Sequence, residues 1–361
     1  EYFGYKSLCA KNLVGIGDNF APNFIRTSKM IKAAIVGLGW WGQHIVSTLQ
    51  NKSEKLEFVR AVDIDLKEKY KFAKENGLLL STDFEETLND DNIDAIVLAT
   101  PHSHHENQII NSAKAGKHVF CEKPLALTKR SAERSINACE SAGVILGVGH
   151  ERRFEPAMIE IRRMIKTGEL GKIMHVEANF SHDKLANLPP DNWRVSSKES
   201  PAAAMTATGI HLTDAYLNMF GPIKEVYAQT ARRNDANKNG DVLSFQVRFQ
   251  NGATGFFNSV LETPLYLRYC VFGSDAWVEA RDYHHPSEVG STYFSVCREE
   301  GEVQSTTYAW EDTVRLNFDA FAEACLGGAP YPFTTEEKLQ NIAVFEAICM
   351  SAESGKPMEI E

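Results

Sequence analysis

Between residues 31 and 149, short apolar runs alternate with longer amphipathic stretches, and this alternation restricts the possible folds more than any other feature. The apolar runs, which are rich in β-branched residues, are residues 31–36, 56–62, 95–99, 118–120 and 144–148. The amphipathic stretches, where apolar residues recur at helical spacing, are residues 43–50, 67–75, 105–114 and 129–142. Strands that alternate with helices form right-handed βαβ units. The sequence therefore predicts an α/β domain built on a parallel sheet.

The pattern changes after residue 150, where strand-like runs follow one another directly. The expected helices are residues 156–166, 202–220, 312–325 and 334–353. The expected strands are residues 172–180 and several runs between residues 224 and 308. Asn251-Gly252, between two apolar runs, is a strong hairpin signal. Strands grouped together with helices outside them predict an α+β domain with an antiparallel sheet.

The length of the chain favours two domains, because a single core rarely grows to 361 residues. We predict a first domain over residues 30–150 and a second over residues 151–361, whose terminal helices can pack back on the first. Residues 1–29 begin with Glu1 and precede both Met30 and the first predicted strand. We interpret them as a poorly ordered extension.

Charge and cysteine content exclude several classes of function. The chain has 38 Lys and Arg against 48 Asp and Glu, a net charge of -10, which opposes binding to nucleic acid or anionic lipid. No apolar run approaches the roughly 18 residues of a membrane-spanning helix. The seven cysteines include no C-x-x-C pair, so neither a zinc site nor a disulfide framework is indicated. A reducing cytoplasm fits this pattern.

A glycine-rich turn follows the first predicted strand and opens a helix. Its residues are Gly37-Leu38-Gly39-Trp40-Trp41-Gly42. In this context G-x-G-x-x-G binds a dinucleotide, with the pyrophosphate at the helix N-terminus. Asp63 ends the second strand, where a carboxylate binds the adenosine ribose hydroxyls and repels a 2′-phosphate, so NAD is favoured over NADP.

Polar side chains follow the predicted strands over residues 95–99 and 118–120, at the edge where parallel strands bind ligands. The candidate cofactor contacts after residues 95–99 are Thr100, Pro101, His102 and His105. Three histidines within residues 102–105 also leave a metal site open, although no further ligand cluster lies nearby in sequence. After residues 118–120 come Glu122 and Lys123, and this lysine is either a solvated charge or a catalytic group with a lowered pKa.

His211 and Asp214 lie on the predicted helix that follows the Pro-rich loop. They are three residues apart and therefore share one helix face. Taken alone, His211 is either a helix histidine with a structural partner or a general base. Asp214 either orients that imidazole or makes a core contact.

These motifs occur together and in one order, and the set resembles the glucose-fructose oxidoreductase / inositol dehydrogenase (Gfo/Idh/MocA) family. The matching elements are the glycine turn, Thr100-Pro101, Glu122-Lys123-Pro124, Arg152-Arg153-Phe154, Trp193-Arg194, Gly209-x-His211-x-x-Asp214 and Gly355-Lys356-Pro357. The resemblance runs from about Met30 to the C-terminus. It implies an N-terminal Rossmann domain and a C-terminal domain with a large, mostly antiparallel sheet, which often forms a homodimer or homotetramer interface.

The resemblance also implies a chemistry: NAD(P)-dependent interconversion of a carbinol and a carbonyl on a sugar, cyclitol or related polyol. It makes Lys123 and His211 the acid/base pair, places Glu122 at the nicotinamide, and implies a cis Lys123–Pro124 bond. We expect the substrate to contact four further residues, which otherwise serve to join the domains. These are Arg152, His182, Trp193 and Arg194.

The chain departs from the family pattern at three places. Ala207 stands where many members have an Asp, which removes one polar partner for a substrate hydroxyl. Residues 202–204 are alanines where glycines are common, and His102 replaces a common Asn. Two other functions stay open: an NAD-dependent glycosidase that oxidises C3 transiently, and a dinucleotide-binding regulator without catalysis.

Overall fold

The N-terminal domain is a six-stranded parallel sheet covered by helices. The computed structural model describes residues 30–189, 191–234 and 238–360, so the expected extension lies outside the described residues. The strands are β1 (Ile31–Val36), β2 (Leu56–Val62), β3 (Leu79–Ser81), β4 (Ala95–Leu98), β5 (His118–Cys121) and β6 (Leu146–Val148). The helices are α1 (Trp40–Leu49), α2 (Leu66–Glu75), α3 (Phe84–Leu88), α4 (His105–Lys114) and α5 (Lys129–Ala142). The strand order β3-β2-β1-β4-β5-β6 confirms the predicted α/β class.

Side-chain caps fix where several of these helices begin. Asp65 accepts a hydrogen bond from the Glu68 amide at the start of α2, and Thr128 caps α5 in the same way. Between them, β3 and α3 were not predicted. They have three and five residues, too few for a periodic pattern to stand out.

The C-terminal domain is built on a nine-stranded sheet. Its strands are β7 (Ile173–Ser181), β8 (Ile223–Ala231), β9 (Val242–Phe249), β10 (Thr254–Val260), β11 (Tyr266–Gly273), β12 (Trp277–Asp282), β13 (Ser291–Glu299), β14 (Glu302–Ala309) and β15 (Met358–Glu359). Its helices are α6 (Pro156–Thr167), α7 (Ile210–Phe220), α8 (Thr313–Cys325) and α9 (Thr335–Ser354). The order is β14-β13-β12-β11-β7-β10-β9-β8-β15, and only β7 and β10 pair in parallel. The Asn251-Gly252 turn joins β9 to β10, as predicted.

The helix predicted over residues 202–220 is wrong in its first half. Ala202 and Ala203 have φ of +54° and +52°, the left-handed region that L-residues rarely occupy. A π-helical turn then spans Met205–Gly209, and regular α-helix begins only at Ile210. Alanine has a high helix propensity, and this led us to predict regular helix at these residues. Tertiary contacts instead give the backbone a different conformation here.

The last two helices connect the domains. The Phe120 ring on β5 stacks on Phe318 of α8 at 3.9 Å between centroids, and Phe321 meets it edge-on. Helix α9 packs on α5, α7 and β8. The carboxyl ends of β1, β4 and β5 thus face the C-terminal domain across a cleft. Among the described residues, no helix combines the length and apolarity needed to cross a bilayer.

Candidate active site

The glycine turn between β1 and α1 makes a cradle out of backbone. Gly37 has φ +90°, and a Cβ there would lie 2.6 Å from the Ala99 carbonyl oxygen; a Cβ on Gly42 would lie 2.0 Å from that of Gly37. Both glycines are therefore required by close packing. A Cβ on Gly39 would meet nothing within 4 Å. That open space lies at the N-terminus of α1, whose first N–H groups have no intrahelical partner, and it fits a pyrophosphate.

Asp63 ties the end of β2 to this cradle. Its carboxylate accepts hydrogen bonds from the Leu38 amide at 2.7 Å and the Asp65 amide at 2.9 Å. Leu38 was predicted as a cofactor contact, but its side chain is fully buried in the core, so it contributes only backbone. Trp40 is 63% exposed on the first turn of α1, and the neighbouring Trp41 ring packs against it at 5.5 Å.

The loop after β4 is held by the second domain. Nδ1 of His102 lies 2.5 Å from the Glu199 carbonyl oxygen, and its ring meets Trp193 edge-on at 4.8 Å. Thr100 donates a hydrogen bond to Gln108, and Pro101 precedes His102. No group of three metal-ligating side chains occurs within the described ranges, which include all three histidines of residues 102–105.

His105 corrects an expectation. We predicted a cofactor contact, yet the ring has no exposed surface. Its Nδ1 lies 2.9 Å from the Pro124 carbonyl oxygen and its Nε2 lies 3.1 Å from that of Thr100. The imidazole therefore joins the β4 and β5 loops from beneath.

Lys123 reaches from the end of β5 into the second domain. Its Nζ donates hydrogen bonds to the carbonyl oxygens of Thr206, at 3.1 Å, and Ala207, at 3.0 Å, in the π-helical turn. Burial lowers the pKa of Lys123 to about 8, and the Glu122 carboxyl opposes that shift. The Lys123–Pro124 bond is cis, as the resemblance implied. The missing Asp at Ala207 is thus replaced, for this lysine, by backbone carbonyl groups.

Glu122 is almost completely enclosed beneath the cleft. Its carboxyl group lies where a Cβ on Gly149 would come within 2.6 Å, so that glycine makes room for it. Burial raises the pKa of Glu122 to about 7, Glu151 adds to the increase, and the Trp41 indole and Lys123 oppose it. A carboxyl group that titrates near neutrality beside a lysine is typical of functional sites.

His211 lies one helical turn beyond the carbonyl groups that bind Lys123. Burial lowers the pKa of His211 well below its ordinary value, and the charges of Lys123 and Arg152 lower it further. The ring is therefore neutral at pH 7. Its Nδ1 is buried without a partner among the described residues, which leaves Nε2 as the nitrogen that can meet a substrate. Lys123 therefore lies close enough to His211 for its charge to lower the histidine pKa, and their acid/base roles stay predictions.

Asp214, which we had counted among the candidate catalytic residues, makes the core contact and does not orient His211; of the two roles left open by the sequence, the structure supports the structural one. Its two carboxylate oxygens accept hydrogen bonds from Nε and Nη2 of Arg153, at 2.8 and 2.7 Å. Arg153 also pairs with Glu337 and lies over the Phe333 ring at 4.0 Å. Asp214 is 1% exposed, so this is a buried structural ion pair that joins α7 and α9 to the domain boundary.

The four expected substrate contacts fall into two groups around the lysine. Arg194 lies over the Trp193 ring at 4.2 Å; burial lowers its pKa, and the nearby Glu122 opposes that shift. This pair covers the dinucleotide side. Arg152 pairs with Glu155 at 2.7 Å and lies 5.3 Å from the Phe180 ring centroid, on the side of His211. His182 packs against the same phenylalanine.

The sequence interpretation missed three residues of this second group. Phe180 lies at the centre, His150 meets His211 edge-on at 5.9 Å between ring centroids, and His285 packs on Phe180 at 5.9 Å. His150 directly follows a parallel strand that ends at the cleft, which is a usable signal. His285 lies in a loop between two antiparallel strands, where no sequence pattern marks it.

Comparison with known proteins identifies the family and supports the fold. Residues 31–150 match the model of an oxidoreductase family with an NAD-binding Rossmann fold, and residues 158–279 match the GFO/IDH/MocA C-terminal domain. D-xylose 1-dehydrogenase (NADP(+)) 2 of Haloferax volcanii is 28% identical over 280 residues, which is 77% of this chain and 84% of that protein. The scyllo-inositol 2-dehydrogenase (NAD(+)) of Bacillus subtilis is 34% identical over 161 residues, 44% of this chain and 46% of that protein. The aldose-aldose oxidoreductase of Caulobacter crescentus, solved with glycerol, has a TM-score of 0.82 at 24% identity, covering 92% of this chain and all of that one.

Proposed function

Since this chain belongs to the GFO/IDH/MocA family of NAD(P)-dependent oxidoreductases, we propose that it interconverts a carbinol and a carbonyl group on a sugar or cyclitol. The strongest support is that Lys123 Nζ donates hydrogen bonds to the carbonyl oxygens of Thr206 and Ala207, one helical turn before His211. These contacts bring an ammonium group of the first domain to within one helical turn, along the chain, of a neutral imidazole of the second. The relatives named for D-xylose and scyllo-inositol support the substrate class.

The residues divide the work of oxidising an alcohol between them. The nicotinamide, bound with its pyrophosphate at the glycine turn, supplies the hydride acceptor. Nε2 of the neutral His211 accepts the hydroxyl proton. The Lys123 ammonium stabilises the negative charge that develops on the substrate oxygen and passes a proton to and from it. In the reducing direction the same groups return the proton to the carbonyl oxygen.

We propose NAD rather than NADP as the preferred cofactor. Asp63 ends β2 beside the glycine turn, where its negative charge opposes a 2′-phosphate. Ribose hydroxyl groups, by contrast, can donate hydrogen bonds to this carboxylate. The relatives include enzymes named for either cofactor, so the preference rests on this one side chain.

We also propose that copies of the chain associate through the outer face of the nine-stranded sheet. Phe256, Tyr266 and Tyr293 present 37%, 37% and 51% of their surface there, around the Arg268 pairs with Glu177 and Glu279. Exposed aromatic groups with a few charges are typical of an interface. Light scattering coupled to size-exclusion chromatography tests this: a mass near twice 40.3 kDa or above is expected, and a monomer contradicts it.

The test of the main proposal is NADH absorbance during incubation with NAD and a panel of sugars, cyclitols and glycerol. With the best substrate, Lys123→Met and His211→Asn are each expected to lower kcat at least about a hundredfold while the NADH Kd stays within threefold. Lys114→Met and His104→Asn, which change exposed side chains, are the matched controls. Unchanged turnover in either active-site variant contradicts the assignment.

The same assay separates the two other functions. Release of a free sugar from a glycoside without net NADH, with NAD that does not exchange, is the result expected of the glycosidase. A regulator binds NADH but forms none with any member of the panel. Nothing in the described residues favours either over the dehydrogenase.

A further inference from the structure

Phe180, the second-last residue of β7, is surrounded by three histidines. Its ring centroid lies 6.1 Å from that of His211, 5.5 Å from that of His182 and 5.9 Å from that of His285. The rings of His182 and His285 are 5.6 Å apart and nearly perpendicular. The mechanism proposed above uses only His211. His182 was expected to contact the substrate, but which substrate atoms it meets was left open, and His285 has no assigned role.

Backbone contacts determine which nitrogen of His182 carries the proton. The amide N–H of Lys184 donates to Nδ1 of His182 at 3.2 Å, so Nδ1 is the acceptor. Burial and the charge of Lys184 lower the pKa of His182 to about 4, so the ring is neutral at pH 7. A neutral imidazole that accepts at Nδ1 carries its proton on Nε2.

His285 is fixed in the same way by its own loop. The Ser287 amide donates to Nδ1 of His285 at 3.2 Å, and the Ser287 hydroxyl lies 2.7 Å from the same nitrogen. Burial, with the charge of Arg152, lowers the pKa of His285 to about 2. This ring is therefore also neutral, and its proton is also on Nε2.

The two Nε2–H groups are unused within the part of the chain that the structure describes. Neither has a hydrogen-bond partner there, and neither nitrogen is sealed from solvent. The backbone contact of each Nδ1 fixes each ring relative to its own loop, and the two rings contact one another at 5.6 Å. A solvent-exposed ion pair, with Lys184 Nζ 2.7 Å from Glu288 Oε1, also joins the two loops. An unused, solvent-accessible donor near a candidate general base can serve as a binding group.

We propose that His182 and His285 form a paired donor site that binds two oxygen atoms of one polyhydroxylated substrate and so selects which sugar or cyclitol is oxidised. This rests on the proposed function and assigns its specificity. Two fixed donors match acceptor lone pairs on hydroxyl or ring ether oxygens. Because both rings are uncharged, the site does not need an anionic group on the substrate. A substrate with one hydroxyl alone gains nothing from the pair.

The test compares His182→Phe, His285→Phe and the double variant with the wild type, using the best substrate among D-xylose, D-glucose and myo-inositol. Phenylalanine keeps an aromatic ring and removes the donor. Each single change is expected to lower kcat/KM about tenfold, mainly through KM, and the double change about a hundredfold. His182→Gln and His285→Gln, which keep a terminal N–H, are expected to recover part of the loss.

His284→Phe is the matched control, because His284 is the exposed neighbour of His285 on the same loop. The NADH Kd and Tm report on structure: both stay close to the wild-type values if the histidines bind substrate. Equal kcat/KM in the wild type and the double variant overturns the proposal, as does a loss that the NADH Kd shares.

The two proposals fail in different ways. If the wild type oxidises none of the three compounds, the proposed function is wrong for this class. Calorimetric titration of D-xylose, D-glucose and myo-inositol into the NADH complex still tests the donor pair, because binding needs no hydride transfer. Weaker binding by the double variant supports the pair; equal binding, or none by the wild type, overturns it.

Discussion

The dinucleotide end and the substrate end of the cleft differ in what forms them, mainly backbone at the first and side chains at the second. At the dinucleotide end, the shape comes from backbone: glycines that permit close approach, the N-terminus of α1 and one carboxylate that binds amides. At the substrate end, side chains make the site: three histidines and Arg152 lie around Phe180, and Lys123 reaches in from the first domain. A backbone cradle has few ways to vary, whereas side chains on separate elements can each be exchanged. We therefore expect the first end to bind the cofactor and the second to select the substrate.

The largest effect is expected where a charge is buried behind the substrate end. Asp214→Ala leaves Arg153 enclosed with only Glu337, and loss of one partner of a buried pair costs about 3–5 kcal/mol of unfolding free energy. Urea unfolding at 15 °C measures it. Because Asp214 does not bond His211, kcat of the folded variant is expected within fivefold of the wild type.

Glu160→Ala is the control, since it removes a partly exposed pair with Arg163 and is expected to cost less than about 1 kcal/mol. A hundredfold loss of kcat in Asp214→Ala, with little loss of stability, contradicts the structural role given to this carboxylate.

Substitutions of two glycines at the dinucleotide end are expected to have different effects, one on stability and the other on NADH affinity. Gly42→Ala places a Cβ 2.0 Å from the Gly37 carbonyl oxygen and is expected to cost about 3 kcal/mol. Gly39→Ala meets open space, so its Tm is expected to match the wild type while the NADH Kd rises at least tenfold. Thermal unfolding and fluorescence titration measure both quantities. If Gly39→Ala binds NADH as tightly as the wild type does, the pyrophosphate does not bind beside Gly39.

The same contrast explains what the sequence could predict. Apolar periodicity predicted five of the six parallel strands and the change of architecture after residue 150, because burial imposes those patterns on neighbouring residues. Gly39 and Lys123 were predicted because they belong to motifs that follow strand ends, and their roles stay predictions. Asp214 was misjudged because its partner Arg153 lies 61 residues away. His285 reaches Phe180 only through the register of β11, β12 and β7, which no local pattern records.

Titration is expected to affect only the end that is built from side chains. Lys123 has its pKa lowered to about 8, so the ammonium loses its charge as pH rises through that value. His211 stays neutral throughout because its pKa is far lower. The kcat/KM for alcohol oxidation is therefore expected to fall about tenfold per pH unit above about 8.

Glu122→Gln sharpens this test, because the carboxyl group raises the pKa of Lys123 and its removal moves the decline to lower pH. Glu122, whose pKa is raised to about 7, was expected at the nicotinamide, so its titration is expected to change the wild-type NADH Kd between pH 6 and pH 9. In Glu122→Gln the NADH Kd is expected to change less than threefold over this range, since backbone amides do not titrate. A kcat/KM that increases through pH 8 instead makes Lys123 the base and contradicts its role as a charged stabiliser.

The smallest effect is expected at Asp63, the one side chain on which the backbone-built end depends. Asp63→Asn keeps one oxygen that accepts from the Leu38 amide but replaces the one that accepts from the Asp65 amide with an NH2 group, so the glycine turn is expected to be retained with Tm lowered by about 3 °C. The negative charge that opposes a 2′-phosphate is lost, and the ratio of kcat/KM with NAD to that with NADP is expected to fall about tenfold. Asp65→Asn, at the cap of α2, controls for charge alone and is expected to leave the ratio within twofold. If Asp63→Asn and Asp65→Asn change the ratio equally, the net negative charge of the domain, and not the position of Asp63, selects the cofactor. The cofactor end of the cleft would then depend on distributed charge more than on one placed side chain.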